Sequence, residues 1–576
     1  SRSLRSWSAL LIAGALAVAA CGGDDDDAVT EESDAAVETT SGAPAGPDTA
    51  DDEAVATTEA PAGTRAEATD ETDGTTAAGD YGPGSATTFP QPEGEPDLDA
   101  SFVYGYPITV SRLDPHRASI SQDATTLFPV YDRLVHLSPT GDLIPGLAES
   151  WEFSDDGLTL TLHVRPDVTF HDGAALDAEA VKANLDRGKS IEGSSVATDL
   201  AAMESVTVVD PMTVEVTLST PNVAIIGSFA DRAGVIVSPQ ALADGVDLDA
   251  NMVGAGPYKM LSHVHGDSTK YERNDDYWDQ EHLAPVKNLE IKVIADNVAR
   301  LNAIRTGQIS ATTISASQTP EVEGNEDLRL MYNTELAYTY IVQNRARGGQ
   351  DDLRVRQAML HALDREAICE SLLAGKCELT DQPFPPGYFA YNEDIPDVLY
   401  PYDPEKAKEL MAEAGVTSLS LSMLIPAGLP TFPEIAEIIQ AQWAEIGITI
   451  DIRPTDPTSL GELMFAQEQA DTMLAGWGGR PDPAMTFIQR AGPDAFANPG
   501  GLTTPEMEEL IAQATSIADP EERAAALKEG SREMAESVLE MVVLFPQVPY
   551  VAQSNVRFTP YLSSKPEFRD VAIIQD

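Results

Sequence analysis

Residues 158–165, "LTLTLHVR", alternate Leu and Val with Thr, His and Arg, the period of a strand with one face buried. "SVTVVDPMTVEVTL" (205–218) carries two such runs on either side of Asp210-Pro211, which predicts two strands joined by a turn. "NLEIKVIAD" (288–296) predicts a further strand. Helical periods dominate later. "YDPEKAKELMAEAG" places Asp403 as an N-cap, Pro404 at the first helical position and Gly415 as the stop, the usual polarity of helix signals. Thr504-Pro505 and Asp519-Pro520 start two more helices in the same way, and "PEIAEIIQAQWAEIG" (433–447) predicts a helix running into the strand "ITIDIRP". From about Leu98 onward the chain is mixed α/β.

Upstream the pattern disappears. Gly22 to about Asp97 is Ala, Thr, Gly, Pro, Asp and Glu, with Arg65 as its only basic residue. Such a segment cannot bury enough apolar surface to offset its ordering entropy, and self-repulsion extends it. Before it, Arg2 and Arg5 precede an apolar run from Trp7 to Ala20. That run is shorter than the roughly 20 residues of a spanning helix and has the layout of a signal peptide. "VAAC" resembles the bacterial lipobox, whose Cys, here Cys21, is lipidated after cleavage; the alternative is an ordinary signal peptide with a Cys near its end. The expected organisation begins with a signal peptide (1–20) and a lipidated Cys with a disordered acidic linker (21–97). The protein is then extracytoplasmic and attached to the cell membrane through its lipid.

The chain has 576 residues, 94 acidic against 36 basic, and a formal net charge of −58. Its length calls for more than one lobe. So negative a surface repels phosphate, which removes nucleic acid from the partners considered.

Catalytic motifs are sparse. There is no His-Glu-x-x-His, no Gly-x-Ser-x-Gly and no Gly-x-x-x-x-Gly-Lys, so zincin, nucleophile-elbow and phosphate-loop chemistry have no sequence basis. His163 with His171, and His263 with His265, lack the neighbours of a metal site and are read as structural or surface residues. No enzyme activity, cofactor or metal is expected. Cys369 and Cys377 close "CESLLAGKC", the first in a helical pattern and the second just past Gly375, a C-cap candidate. An exported location permits a disulfide, the preferred reading; two buried thiols are the other. "LAGWGGRPDPAMTF" (474–487) sets Trp477 between glycines and follows it with Arg480, Pro481, Asp482 and Pro483. That composition suits neither a helix nor a central strand.

The stretch "VYDRLVHLSPTGDLIPGLAESWEFSDDGLTLTLHVRPDVTFHDGAALDAEAV" (130–181) strongly resembles the family 5 extracellular solute-binding proteins, the peptide/nickel-type receptors of bacterial ABC importers. "MVGAGPYKM" (252–260), "LRVRQAMLHALDREAI" (353–368), "YDPEKAKELMAEAG" and the Trp477 loop follow in the family's order, so the resemblance spans about residues 100–560. It implies a two-lobed, type II periplasmic-binding-protein-like α/β fold that closes on ligand, with an extra subdomain inserted in the first lobe. The expected division is lobe I at 98–135 and 251–335, the insertion at 136–250, lobe II at 336–540, and a C-terminal return to lobe I at 541–576. Segments 338–346 and 541–553 are the expected hinge strands.

The resemblance also implies a role for the loop. In peptide-binding members an Asp three positions after this Trp pairs with the peptide α-ammonium; here that position is Arg480, which would repel an ammonium and favour a carboxylate. Asp482 could still meet an amine. The candidate ligand-binding residues are Trp477, Gly478, Arg480, Asp482, Asn344, Tyr340 and Tyr106. The expected function is capture of a small polar solute, a peptide or peptide-like molecule, by a monomer that delivers it to an ABC permease. The alternative is a sensory receptor on the same fold.

Overall fold

The computed structural model describes residues 89–118, 120–429 and 431–575, all within one compact unit. The signal peptide, the lipidation site Cys21 and the linker up to residue 88 lie outside the described residues. The linker was expected to continue to residue 97. Instead Phe89 packs on the lobe I core, Gln91 exchanges hydrogen bonds with the Phe558 backbone and Pro96 bridges Ile574. Nearby backbone partners overcome the Pro- and Glu-rich composition of this stretch.

In lobe I, Ser101–Tyr106 runs parallel to both Asn288–Val293 and Ala311–Thr313, with Ser268–Arg273 and Tyr258–Val264 extending the sheet antiparallel to one edge. In lobe II, Leu419–Pro426 runs parallel to Ile448–Thr455 and to Thr472–Trp477, and Tyr338–Gln343 lies antiparallel to Thr472–Trp477. The parallel pairs need crossovers, and helices such as Thr431–Ala444 supply them.

One strand serves both lobes. Met541–Gln553 is 13 residues long; its Met541–Leu544 half pairs with Tyr338–Gln343, and its Gln547–Gln553 half pairs with Leu328–Thr334. The chain therefore crosses between lobes twice, at 334–338 and around Pro546, a residue that cannot donate to a ladder. Two adjacent crossings are what a hinge requires. The structure bridges Cys369 and Cys377, with Cα atoms 6.0 Å apart. Cys377 pairs in register with Pro546, so the disulfide stands beside the second crossing.

The inserted subdomain is a four-stranded antiparallel sheet, ordered Ala148–Phe153, Thr159–Val164, Thr213–Leu218 and Met203–Asp210. The alternating Leu160, Leu162 and Val164 face inward against Val214 and Val216, as the period-two pattern requires. Helix Ala178–Ser190, capped by Asp177, covers this face. The other helix starts read from sequence form as well: Asp403, Thr504 and Asp519 each accept a backbone N–H of the first turn. No helix among the described residues is long and apolar enough to cross a membrane.

Candidate functional site

Strand Thr472–Trp477 is buried at its start and emerges at Gly476 and Trp477. The loop Gly478–Pro481 follows, and helix Pro483–Ala491 then begins. Gly479 has φ +68° and a Cβ there would stand 2.5 Å from Leu336 Cβ, so only glycine lets the loop rest on the first lobe crossing. Trp477 lies opposite Tyr338 in the ladder, which fixes the indole beside the same crossing. The guanidinium of Arg480 sits 4.9 Å from the indole centroid and that of Arg490 5.4 Å, both within cation–π range. The indole Nε1 is buried with no hydrogen-bond partner among the described residues.

Beneath the loop is a fully enclosed platform. Arg490 Nη2 pairs with Glu540 Oε2 at 3.1 Å, both side chains 1% exposed, and Arg490 Nη1 donates to the Ala497 carbonyl. Tyr338 OH donates to Glu540 Oε1, and the guanidinium stacks over Tyr340, 4.5 Å from its centroid. Burial disfavours the charge on Arg490, but Glu540 and the two tyrosines outweigh it, and the proton is held more tightly than usual. Tyr340 thus braces the platform, and burial pushes its hydroxyl up to about 12.

Arg480 is treated differently. It is half-buried, its Nε donates to Gln489 Oε1 at 3.0 Å, and among the described residues it forms no ion pair. Gln489 in turn lines a cavity of about 360 Å³ between the inserted subdomain and lobe II, shared with Asp199, Asn222 and Met485. That volume lies within the range of small-molecule sites.

The other sequence-derived candidates fare unevenly. Gly478 stands beside Trp477 with nothing within 4 Å of its Cβ direction. Asp482 was expected to reach a ligand amine, but it is 2% exposed, caps the following helix through Ala484 N and accepts from Arg523 Nη2 at 2.7 Å. The backbone of Gly227 presses against it, so this carboxylate is taken up by the fold. Asn344 lies at the far end of its strand from Trp477. There it is fully buried and turns the chain, with Nδ2 on Glu468 and Oδ1 accepting from Ala346 N. Tyr106 belongs to lobe I, where its OH donates to the Gln122 carbonyl and accepts from Thr125.

Sequence patterns missed two groups. Glu335, within the first crossing, is 6% exposed and accepts from Tyr550 OH at 2.8 Å; burial pushes its carboxyl up to about 7. Lys565 comes from the C-terminal segment, 8% exposed, with Nζ 2.5 Å from Asp231 of the inserted subdomain. Neither stands in a periodic element or a motif, so no local signal marks it. Of the histidines considered earlier, His171 bonds the Gly256 carbonyl and His263 bonds Thr269, while the His263 and His265 rings stand edge-on with centroids 6.2 Å apart.

With this geometry in hand, the likenesses to known proteins are specific. Residues 142–498 match the family described as "Bacterial extracellular solute-binding proteins, family 5 Middle". A glutathione-binding protein GsiB from Salmonella paratyphi A is 30% identical over 433 residues, covering 72% of this chain and 83% of its own. Among solved structures, HbpA2 from Haemophilus parasuis is 25% identical with a TM-score of 0.73, covering 83% of this chain and all of that one (100%). The periplasmic binding protein DppA from Helicobacter pylori, solved with the peptide STSA, shares the fold at 22% identity and a TM-score of 0.70, over 83% of this chain and 98% of its own. The Helicobacter pylori protein is described as an ABC transporter-associated periplasmic binding protein. The chain belongs to family 5 of the bacterial extracellular solute-binding proteins.

Proposed function

We propose that this protein captures a small polar, peptide-like solute between its lobes and delivers it to an ABC permease, held at the membrane by lipid on Cys21. The observation that carries the reading is the loop Trp477–Pro481. It presents a flat aromatic face and an Arg without an ion pair among the described residues, on a loop whose Gly479 lies against the lobe crossing. Bidentate donors beside an aromatic wall suit a solute with a carboxylate and some apolar surface. The likeness to a glutathione-binding protein and to a peptide-bound receptor supports the same class. Two adjacent crossings supply the closure such a receptor needs.

The test is direct. Mass spectrometry of the purified protein should release a bound solute. Calorimetry should show stoichiometric binding of glutathione, or of at least one member of a di- to tetrapeptide panel, without turnover. No bound solute and no binding from that panel sinks the reading. For the anchor, Cys21→Ser should release the expressed precursor's product from the membrane fraction; retention of the variant there removes the lipid from the proposal.

A further inference from the structure

Three separate parts of the chain meet in a crevice beside the Trp477 loop: Leu137 of the inserted subdomain, Gly478 and Arg480 of lobe II, and Ser563 and Lys565 of the C-terminal segment. Its charges are unusual for a chain with a formal net charge of −58. Arg480 and Lys565 line it, and Arg232 acts on the same acids, Asp199 and Asp231. Asp231 is fully committed, taking Lys565 Nζ on one oxygen and the Arg232 backbone N–H on the other; despite burial, these cations pull it down to about 2. Asp199 is driven the other way, since burial raises it more than Arg480 and its neighbours lower it. Arg232 donates to the Ala118 carbonyl and to Ser195, yet its Nε is buried without a partner among the described residues. The crevice is thus lined by two cations, Arg480 and Lys565, of which Lys565 has an acid in contact and Arg480 has none among the described residues.

Excess positive charge in a partly desolvated place is costly unless an anion joins it. Several other buried cations are answered by acids, Arg490 by Glu540, Arg365 by Asp381 and Arg523 by Asp482, while Arg345 lies on Asn498 and the Leu502 carbonyl. Arg300 and Arg356 lie on several backbone carbonyls. Arg480 has a single amide oxygen.

Resting on the solute reading above, we propose that the crevice seats a carboxylate of the solute, held jointly by Arg480 of lobe II and Lys565 of the C-terminal segment. Because Lys565 returns to lobe I and bonds the inserted subdomain, seating the anion draws all three parts together. Anion recognition and closure are then one event. The acid that peptide receptors carry after the loop Trp is replaced here by one jaw of an anion clamp, with its second jaw more than eighty residues further along the chain.

The experiment is calorimetry on the full chain with paired probes: glutathione and its glycine amide, and the peptide Ser-Thr-Ser-Ala and its C-terminal amide. The proteins are wild type, Arg480→Gln, Lys565→Met, Lys565→Arg and Asp231→Asn. Wild type should prefer the acid over the amide by about tenfold or more, as charge-assisted hydrogen bonds do. Arg480→Gln and Lys565→Met should each reduce that ratio to about threefold or less, while Lys565→Arg retains most of it. Asp231→Asn, which frees Lys565, should hold or raise the ratio, whereas a purely structural Lys565–Asp231 pair would make Asp231→Asn and Lys565→Met behave alike. An acid-to-amide ratio unchanged by Lys565→Met overturns the clamp and leaves solute capture standing. Failure of wild type to bind any of the four probes or the broader panel overturns both.

Discussion

Two charged regions of this molecule use the same residue types to opposite ends. Where lobe I meets the inserted subdomain, every charge is answered. Arg133 Nη2 pairs with Glu567 at 2.6 Å, and Arg569 Nε pairs with the other Glu567 oxygen at 3.1 Å. Arg569 also donates to His136 Nδ1. That nitrogen must therefore accept, so the imidazole is neutral and its Nε2–H points to Asp132. Trp278 and Tyr277 complete Asp132. Burial would raise the Asp132 carboxyl, but His136, the Trp278 indole N–H and the Arg569 charge hold it well below the ordinary range. The crevice beside Trp477 has the same chemistry with the set left open, since Arg480 rests on one amide oxygen. Most buried charges that hold the fold are matched by an acid within the protein, and Arg480, the charge proposed to meet a solute, has no ion pair among the described residues.

The largest expected effect is at the closed set. Glu567→Ala leaves Arg133 and Arg569 buried without their acid and should cost about 3–5 kcal/mol in urea unfolding. Removing the disulfide by Cys369→Ser should cost about 2–3 kcal/mol by loop-entropy reasoning, for a sequence separation of 8, read as a lower midpoint that added reductant no longer changes.

Acid should act through the buried histidines. Burial, followed by the Arg569 charge, lowers His136. Burial, followed by Arg187, lowers His116 from 6.5 to about 4. Both folded-state values lie below the unfolded one, so their contribution is whole above pH 6.5 and is lost as pH falls through the folded values. Melting temperatures should decline from pH 6.5 toward 4, and His116→Gln should flatten that decline.

Glu335 has the opposite sign. Its folded value of about 7 exceeds its ordinary 4.5, so its contribution is whole below pH 4.5 and lost as pH rises through about 7. Glu335→Gln should therefore gain stability at pH 8 relative to wild type and little at pH 4. Smallest of all, Arg480→Gln should stay within about 0.5 kcal/mol of wild type in urea unfolding, as for surface changes away from packed networks. A loss there as large as that of Glu567→Ala would erase the distinction between the two regions.

Local order was largely visible in advance. The strand pair around Asp210-Pro211 forms as Met203–Asp210 and Thr213–Leu218, because alternation and a Pro turn act within a few residues. Asp403, Thr504 and Asp519 cap as expected for the same reason. The site was legible only in part. Trp477, Gly478 and Arg480 stand together on one loop, as their adjacency suggested. Asp482 looked equivalent to Arg480 on paper, but Arg523 and the close backbone of Gly227 claim it. Tyr340 lies within the strand Tyr338–Gln343, whereas Asn344 follows its last residue, at the opposite end from Trp477.

By itself, the sequence determined the α/β alternation, the helix starts, the place of the Trp loop and the family resemblance, since these depend on contacts or motifs within short stretches. Tertiary structure alone decided which charges are matched. Glu567 reaches Arg133, Lys565 reaches Asp231 and Arg523 reaches Asp482 across spans that no periodicity reports. Whether a charge belongs to the fold or stays open for a solute depends on the counter-charge beside it in space, and only the folded chain brings that counter-charge near.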